Sequence, residues 1–263
     1  MLIGISGKIQ SGKDTIGLII QYLTDETFNT LTFNEYLEEI KFETPPHSRW
    51  KIKKYADNLK LVISILTGCT REQLESDEFK TSKLSDEWIR YGYADGFIKT
   101  YIGNGEMSGA IMNNKQCSKE EYEEHYKTNW QTAYKSHLTY RDLLQYLGTD
   151  LLRNQLNENC WINSLFSKYK LKIGKFDNVA IQDSYPNWII TDCRFPNETT
   201  AVKDRGGFVI RVNRFNSNQQ LFDQHPSETA LDDYPFDYVI NNNGTIKELI
   251  EQVKVILIKE QIL

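Results

Sequence analysis

The pattern of apolar and polar positions predicts an α/β protein. Residues 2–6 form a short apolar run that ends at Gly7, as a buried strand does. Apolar side chains recur at helical spacing over residues 16–23 and share one face. A short helix is predicted over residues 34–40. A second strand is predicted over residues 52–56, and a helix follows it from residue 57 to about residue 67.

The last third of the chain repeats this alternation of strands and helices. Strands are predicted over residues 187–191, 208–212 and 238–241. A helix over residues 197–204 joins the first two of these strands, and a C-terminal helix begins at residue 246. Strands that alternate with helices favour a parallel sheet covered on both faces.

The middle of the chain is the hardest part to interpret. Residues 84–137 are rich in aromatic and charged side chains, with turn signals at Gly103 and Gly105. They fit either an inserted lid or hairpin, or a solvated helical arm. A helix is predicted over residues 139–156, where Leu143, Leu144, Leu147 and Leu151 form one apolar stripe. We therefore expect one domain, 1–263, with an insertion at about 84–137.

Composition and charge narrow the class of protein. The chain has 263 residues, 40% of them hydrophobic and 25% charged, and a net charge of −5. An acidic chain is a poor candidate for wrapping nucleic acid, which requires a basic surface. The four cysteines form no CxxC pair, and no apolar run approaches the roughly 20 residues that span a bilayer. The N-terminus carries no secretory signal pattern. We expect a cytoplasmic protein with free thiols and neither nucleic acid nor membrane as a partner.

The strongest motif is the sequence GKIQSGK at residues 7–13, between a predicted strand and a predicted helix. Glycines let successive main-chain N–H groups turn toward a phosphate, and the helix N-terminus adds partial positive charge. Lys13 can reach the terminal phosphates of a nucleotide as a point charge. The motif predicts the three-layer sandwich of the P-loop NTPases, with a central, mostly parallel sheet and an inserted lid-like region. The residues expected to hold ATP are Gly7, Lys8, Ser11, Gly12, Lys13, Asp14 and Thr15.

Asp14 departs from the usual motif. The residue after the lysine is commonly Ser or Thr, whose hydroxyl binds Mg²⁺. Here Asp14 takes that position and Thr15 follows. Either Thr15 supplies the hydroxyl, or Asp14 contacts the metal or its waters. A third interpretation is that Asp14 is only an acid at a helix N-terminus, favoured by the helix dipole.

Two further segments indicate the chemistry of a second substrate. Asp192 follows a predicted strand, and Arg194 would lie with it at the carboxyl edge of the sheet, where ligands bind in open α/β folds. In the predicted helix from residue 139, Arg141, Gln145 and Thr149 lie four apart, opposite the leucine stripe. A loop salt bridge and a solvated helix face are the respective alternatives. Arg153 is expected on the same side as the polar residues.

The chain resembles the bacteriophage deoxynucleoside monophosphate kinases, relatives of the adenylate-kinase-like P-loop kinases. Five segments match in the family's order: SGKDT at 11–15, KKYADNLK at 53–60, LTYRDLLQYLGTDLLR at 138–153, TDCRFPNE at 191–198 and HPSETALDD at 225–233. The stretches 26–49 and 84–137 match least well. The resemblance implies transfer of the ATP γ-phosphoryl group to a deoxynucleoside monophosphate, with Mg²⁺, and it favours a homodimer.

Within these segments several residues are candidates for holding the acceptor. Lys60 is placed for the acceptor phosphate, although an exposed helix lysine explains it equally well. Tyr55 is either a stacking wall for the base or, as we favour, part of the core. The resemblance places His225 and Glu228 near the active site. The alternative, slightly favoured, is that Ser227 caps a short helix with Glu228 in its first turn.

The catalytic cations form a separate group. Arg211 lies on the predicted strand 208–212 and Arg214 lies in the loop after it. One of the two is expected to be the mobile arginine that covers the transferred phosphate, and we assign Arg214; plain surface charge is the alternative. The other expected catalytic residues are Lys13, Asp192 and Arg194. The same fold also serves small-molecule kinases acting on phosphomevalonate or dephospho-coenzyme A. A third interpretation of the chain is a nucleotide-binding ATPase module.

Overall fold

A computed structural model describes residues 1–41, 48–101, 107–129, 133–176, 179–214 and 226–263. The chain divides into two compact units. The first comprises Met1–Leu59 and Thr149–Leu263, and the second comprises Lys60–Gly148. The predicted insertion, 84–137, lies wholly within the second unit. That residues 84–137 are an insertion in a single domain stays a prediction.

Ten strands and ten α-helices form the described regular structure. The strands are β1 (Leu2–Gly7), β2 (Trp50–Lys53), β3 (Ile89–Tyr101), β4 (Met107–Cys117), β5 (Ala133–His137), β6 (Lys172–Phe176), β7 (Val179–Ser184), β8 (Asn187–Cys193), β9 (Phe208–Asn213) and β10 (Tyr238–Asn241). The helices are α1 (Lys13–Leu23), α2 (Phe33–Glu39), α3 (Ala56–Thr67), α4 (Asp77–Thr81), α5 (Lys119–Asn129), α6 (Tyr140–Gln145), α7 (Cys160–Phe166), α8 (Pro196–Lys203), α9 (Pro226–Thr229) and α10 (Ile246–Lys259). Single 3₁₀ turns cover Gln73–Glu75 and Asp86–Trp88.

The first unit is built on a five-stranded sheet in the order β10-β9-β1-β8-β2. Every pair of neighbouring strands in it is parallel. β1 lies at the centre, with Leu2 opposite Trp188 of β8 and Ile3 opposite Phe208 of β9. The glycine loop therefore leaves the middle of the sheet at its carboxyl edge. The predicted α/β class with a mostly parallel sheet is confirmed.

Helices cover both faces of this sheet. Ile3 and Ile5 of β1 pack in one cluster with α1 and α10, whereas Leu2 packs in a second cluster with α7 and α8. Since successive strand residues point to opposite faces, a strand buried on both sides is apolar at nearly every position. This arrangement explains the uninterrupted apolar run at the start of the chain and gives the three layers that the glycine motif predicts.

The second unit contains an antiparallel sheet in the order β4-β3-β5. α5 packs beside it: Tyr122 lies 5.2 Å from Tyr91 between ring centroids, and His125 stacks on Tyr93 at 4.4 Å. Residues 84–137 thus contain the predicted hairpin, β3–β4, and a helix that packs on it and is not a separate solvated arm. That the segment acts as a lid stays a prediction. These ring contacts attach α5 to β3 and add to the stability of the sheet.

Three features of the secondary structure differ from the sequence prediction. β2 ends at Lys53, not at residue 56, because the Lys54 N–H donates to Asp57 Oδ2 (3.1 Å) in a turn before α3. The helix predicted over 139–156 is α-helical only to Gln145 and continues in wider π-type turns over Tyr146–Leu156. The α-helical spacing that placed Thr149 on the face of Arg141 therefore does not apply. The antiparallel hairpin β6–β7 was not predicted at all.

Two global expectations can be compared with the structure. All four cysteines carry free thiols: Cys69, Cys117, Cys160 and Cys193. In the described ranges, none of the helices combines the length and the apolar character needed to cross a bilayer.

Candidate active site

The glycine loop between β1 and α1 is shaped by close main-chain contacts. A Cβ at Gly7 would lie 2.5 Å from Ser11 Oγ and 2.6 Å from the carbonyl oxygen of Val212, so only glycine fits. Gly12 has φ 97°, in the left-handed region that glycine adopts without strain. Gln10 also has a positive φ, 61°, which is uncommon for a residue with a side chain. Strained main chain of this kind is frequent at binding loops.

The side chain of Lys13 folds back onto the glycine loop and contacts its main chain. Its Nζ donates to the carbonyl oxygens of Gly7 (2.8 Å) and Lys8 (2.7 Å). Burial above all, together with the nearby charges of Arg194 and Arg211, lowers the pKa of this ammonium to about 7, against the opposite effect of Asp14 and Asp192. Among the described residues the hydrogen-bond acceptors of Lys13 Nζ are two carbonyl oxygens, and the carboxylates of Asp14 and Asp192 compensate its charge only in part. A bound polyanion would give the ammonium group of Lys13 a partner of opposite charge.

Asp14 lies in the first turn of α1 and links two neighbouring elements. Its Oδ1 accepts a hydrogen bond from Thr191 Oγ1 (2.6 Å), and its Oδ2 accepts one from Lys54 Nζ (3.0 Å). The carboxylate side chain is 62% exposed. Each oxygen keeps a free lone-pair direction, so Asp14 can still contact a metal ion or its waters. Thr15 is half-buried beside it.

Asp192 binds main-chain amides at the start of α3. Its Oδ1 accepts from the Tyr55 N–H (2.8 Å) and its Oδ2 from the Ala56 N–H (2.9 Å). The carboxylate thus satisfies donors that a helix N-terminus leaves unpaired, and the helix dipole favours its charge. Burial raises the pKa of this carboxyl group, although both amides act in the opposite direction. Tyr55 is 4% exposed, which confirms that it belongs to the core.

Arg194 sits between two buried carboxylates at the end of β8. Its guanidinium forms an ion pair with Glu228 of α9 and also donates to the carbonyl oxygen of Ser227 (3.3 Å). Its main-chain N–H donates to Glu198 Oε2 (2.7 Å). Burial raises the pKa of the Glu198 carboxyl to about 7, with a smaller rise from the Asp192 carboxylate, against the lowering effect of amide hydrogen bonds. The ion pair joins two segments that sequence analysis had assigned to the same site.

A second group of charges lies on the other side of the loop. Arg211 Nη1 donates to Ser6 Oγ (3.2 Å) and its Nη2 to Asp232 Oδ1 (3.2 Å). Lys8 Nζ donates to the other oxygen of the same carboxylate, Asp232 Oδ2 (2.9 Å). Asp232 is therefore the shared counter-ion of two cations that border the glycine loop.

The predicted acceptor residues are distributed over both units. In the first unit Thr149 is 6% exposed, and Arg153 donates to Asn197 Oδ1 (2.8 Å) while its guanidinium stacks 3.8 Å from the Phe195 ring centroid. In the second unit Lys60 pairs with Glu75 (2.7 Å) and Arg141 with Asp77 (3.3 Å). Gln145 in the same unit is half-buried. Their joint contact with one acceptor stays a prediction.

Two predicted residues have little structural description. Arg214 is exposed and is the last described residue before position 226. His225 lies outside the described residues. The assignment of Arg214 rather than Arg211 as the arginine that covers the transferred phosphate stays a prediction, as does a role for His225.

Sequence reasoning missed several residues that contact this site. Lys54, Thr191 and Asp232 each bind a side chain that was predicted, but long-range pairing leaves no local signal. Asn242, just after β10, donates from Nδ2 to the Ser11 carbonyl oxygen (2.8 Å). The available hint was its position after a strand, at the carboxyl edge where ligands bind.

The site combines a central strand, a glycine loop with a largely buried lysine, and a helix N-terminus. Together these features define a P-loop protein that binds a phosphorylated ligand. In the described residues, no cluster of three or more His, Cys, Asp or Glu side chains is arranged to hold a metal ion. The feature that distinguishes this site is the glycine loop together with four cationic side chains in it or beside it: Lys8, Lys13, Arg194 and Arg211.

Comparison with known proteins gives the particular family. The model of the deoxynucleotide monophosphate kinase family matches residues 1–253, so the chain belongs to that family. A protein of Acanthamoeba polyphaga mimivirus is 33% identical over 119 residues, 44% of this chain and 59% of the relative. The deoxynucleotide monophosphate kinase of Enterobacteria phage T4 is 32% identical over 114 residues, 43% of each protein. The chain thus spans about half the length of these two relatives. The deoxynucleoside-5′-monophosphate kinase of Escherichia phage T5 is 24% identical over 249 residues, 88% of this chain and 85% of the relative.

Proposed function

We propose that this protein transfers the γ-phosphoryl group of ATP to a deoxynucleoside 5′-monophosphate and releases ADP and the deoxynucleoside diphosphate. The observation that carries the proposal is the glycine loop with Lys13 buried at its centre, in a chain whose family is the deoxynucleotide monophosphate kinases. The relatives from phages T4 and T5 bear names that state the same activity.

The reaction asks little covalent chemistry of the protein. An oxygen of the acceptor phosphate forms a bond to the γ-phosphorus while the bond from that phosphorus to the bridging oxygen breaks, and the electron pair leaves with ADP. Catalysis then depends on in-line positioning and on cations placed where negative charge develops. Lys13 exchanges its two carbonyl partners for phosphate oxygens. We assign Arg194, which pairs with Glu228, a contact with the transferred phosphate.

Asp192 supports this arrangement through the main chain. By binding the amides of Tyr55 and Ala56 it fixes the start of α3 next to the carboxyl end of β8. We assign the catalytic role predicted for Asp192 to this positioning, and its remaining lone pairs can hold a metal-bound water.

The residues near the loop also fit Mg²⁺. Mg²⁺ prefers hard oxygen ligands and is commonly held by one or two carboxylates together with substrate phosphates and waters. Asp14 offers an exposed carboxylate and Thr15 a hydroxyl in the first turn of α1. When bound there, the ion would neutralise charge on the phosphates.

The proposed location of the protein in the cell follows from its thiols and its substrates. Free thiols and nucleotide substrates suit the cytoplasm. The homodimer that family resemblance favours can be tested by analytical ultracentrifugation of the purified chain, where a monomer at micromolar concentration would reject it.

The proposal is tested with Lys13→Ala. A coupled assay measures ADP release from ATP with each of the four deoxynucleoside monophosphates, and with phosphomevalonate and dephospho-coenzyme A as comparison acceptors. Wild type should turn over at least one deoxynucleoside monophosphate, and Lys13→Ala should lose about 10³- to 10⁵-fold in rate, the range known for cations in phosphoryl transfer. Near wild-type turnover by Lys13→Ala, or ADP release independent of any acceptor, would refute the proposal.

A further inference from the structure

The side chain of Asn242 lies between the last strand of the sheet and the glycine loop. β10 ends at Asn241, and the Asn242 N–H donates to the Asn213 carbonyl oxygen (2.7 Å), which extends the alignment with β9 by one residue. Gln252 of α10 exchanges two hydrogen bonds, each 3.3 Å, with the main chain of Asn241. The position of Asn242 is therefore fixed by both a strand and a helix.

The Asn242 amide makes a specific contact with the loop. Its Nδ2 donates to the Ser11 carbonyl oxygen at 2.8 Å. A Cβ at Gly12 would lie 2.4 Å from the same nitrogen, so the amide packs directly against the Gly12 main chain. The left-handed conformation of Gly12, with φ 97°, and the contact with Asn242 thus exclude a side chain at this position for two independent reasons.

This contact determines where a neighbouring donor points. The Ser11 carbonyl and the Gly12 N–H belong to one trans peptide, in which C=O and N–H point in opposite directions. Because Nδ2 holds the carbonyl oxygen, the Gly12 N–H is directed away from Asn242. Within the described ranges it donates to no main-chain acceptor. It is an oriented donor at the N-terminus of α1, where anions bind.

We propose that Asn242 is a positioning residue for nucleotide binding: by holding the Ser11 carbonyl it turns the Gly12 N–H toward the polyphosphate of the bound nucleotide. The ligand class is a nucleoside di- or triphosphate, recognised through its phosphates. This inference rests on the proposed function and extends it to a residue of the C-terminal strand and helix, 231 positions from its partner.

The test measures binding without catalysis. Isothermal titration calorimetry of the full chain with ADP and with tripolyphosphate, in EDTA, compares wild type with Asn242→Ala and Asn242→Asp. Loss of one hydrogen bond should weaken both ligands about 3- to 10-fold in Asn242→Ala. Asn242→Asp keeps the shape but replaces the donor by an anionic acceptor facing a carbonyl oxygen, so it should weaken them further. In the kinase assay the KM for ATP should rise in both variants while the KM for the monophosphate stays within twofold.

Asn241→Ala is the matched control. Asn241 is exposed, and in the described structure its hydrogen bonds come from its main chain. The Asn241→Ala variant should bind ADP and tripolyphosphate with the same affinity as wild type. Asn242 variants that are folded by circular dichroism and bind like wild type would overturn the positioning role, as would an equal weakening by Asn241→Ala. Failure of wild type itself to bind ADP or tripolyphosphate would instead reject the proposed function.

Discussion

The buried ammonium of Lys13 should make the free protein less stable than a variant without it. The ordinary pKa of a lysine, 10.5, falls to about 7 in the folded protein, chiefly by burial. At 1.36 kcal/mol per pH unit, this difference corresponds to an electrostatic cost of about 5 kcal/mol when Lys13 is charged. Lys13→Met keeps an unbranched apolar stem one atom shorter than that of lysine and removes the charge, so it should raise the free energy of unfolding at pH 7.

The effect has a defined pH dependence. Between pH 7 and pH 10.5 the unfolded state binds more protons at this position than the folded state, so the stability of wild type rises with pH. Lys13→Met lacks this contribution. The stability advantage of Lys13→Met should therefore shrink by about 2 kcal/mol between pH 7 and pH 9.

Urea denaturation followed by tryptophan fluorescence at pH 6, 7, 8 and 9 measures the difference directly. Lys51→Met is the matched control, because it makes the same substitution at an exposed position on β2. A Lys13→Met protein that is less stable than wild type at pH 7, or a difference that does not change up to pH 9, would show that the ammonium is not desolvated in the way described.

Three further predictions address neighbouring groups. The affinity of wild type for tripolyphosphate should fall roughly 10- to 50-fold from pH 7 to pH 9, because the bound anion favours the protonated form of Lys13; calorimetry that finds no fall would contradict this. Asp192→Ala should lower the free energy of unfolding by about 2–4 kcal/mol, since two buried amides of α3 lose their acceptor, and an unchanged urea midpoint would argue against that role. Asp232→Asn should bind tripolyphosphate about 3- to 10-fold more tightly, because Lys8 and Arg211 lose their internal counter-ion; weaker binding would mean that Asp232 positions these cations instead.

The parts of the site that depend on local sequence were predictable. The glycine loop is specified by residues at fixed spacing within one turn, so its presence, its lysine and its place between strand and helix followed from the sequence. β1 was found because a strand buried on both faces is apolar at consecutive positions. The C-terminal helix was found because the turn Asn243-Gly244 ends the last predicted strand and leads into it.

Other parts could not be predicted because their determinants are distant in sequence. Asp192 binds amides 136 and 137 positions away, and nothing near either partner indicates the contact. Asn242 lies in a run of three asparagines, and only the tertiary structure distinguishes it from its neighbours. The change from α-helical to π-type turns after Gln145 has no signal in the apolar pattern, so the α-helical spacing predicted beyond that residue was wrong.

The central position of β1 has a consequence for biosynthesis. This strand is made first, but its partners in the sheet, β8 and β9, begin at Asn187 and Phe208. At about 5–20 residues per second, a ribosome needs roughly 10–40 s to add them, and an apolar segment must stay soluble on the nascent chain throughout. Closing loops of this length also slows folding, because the chain entropy is lost before the contacts form. Residues 60–148, whose strands pair with near neighbours, can fold earlier, so the nucleotide-binding half should mature last and depend most on chaperones.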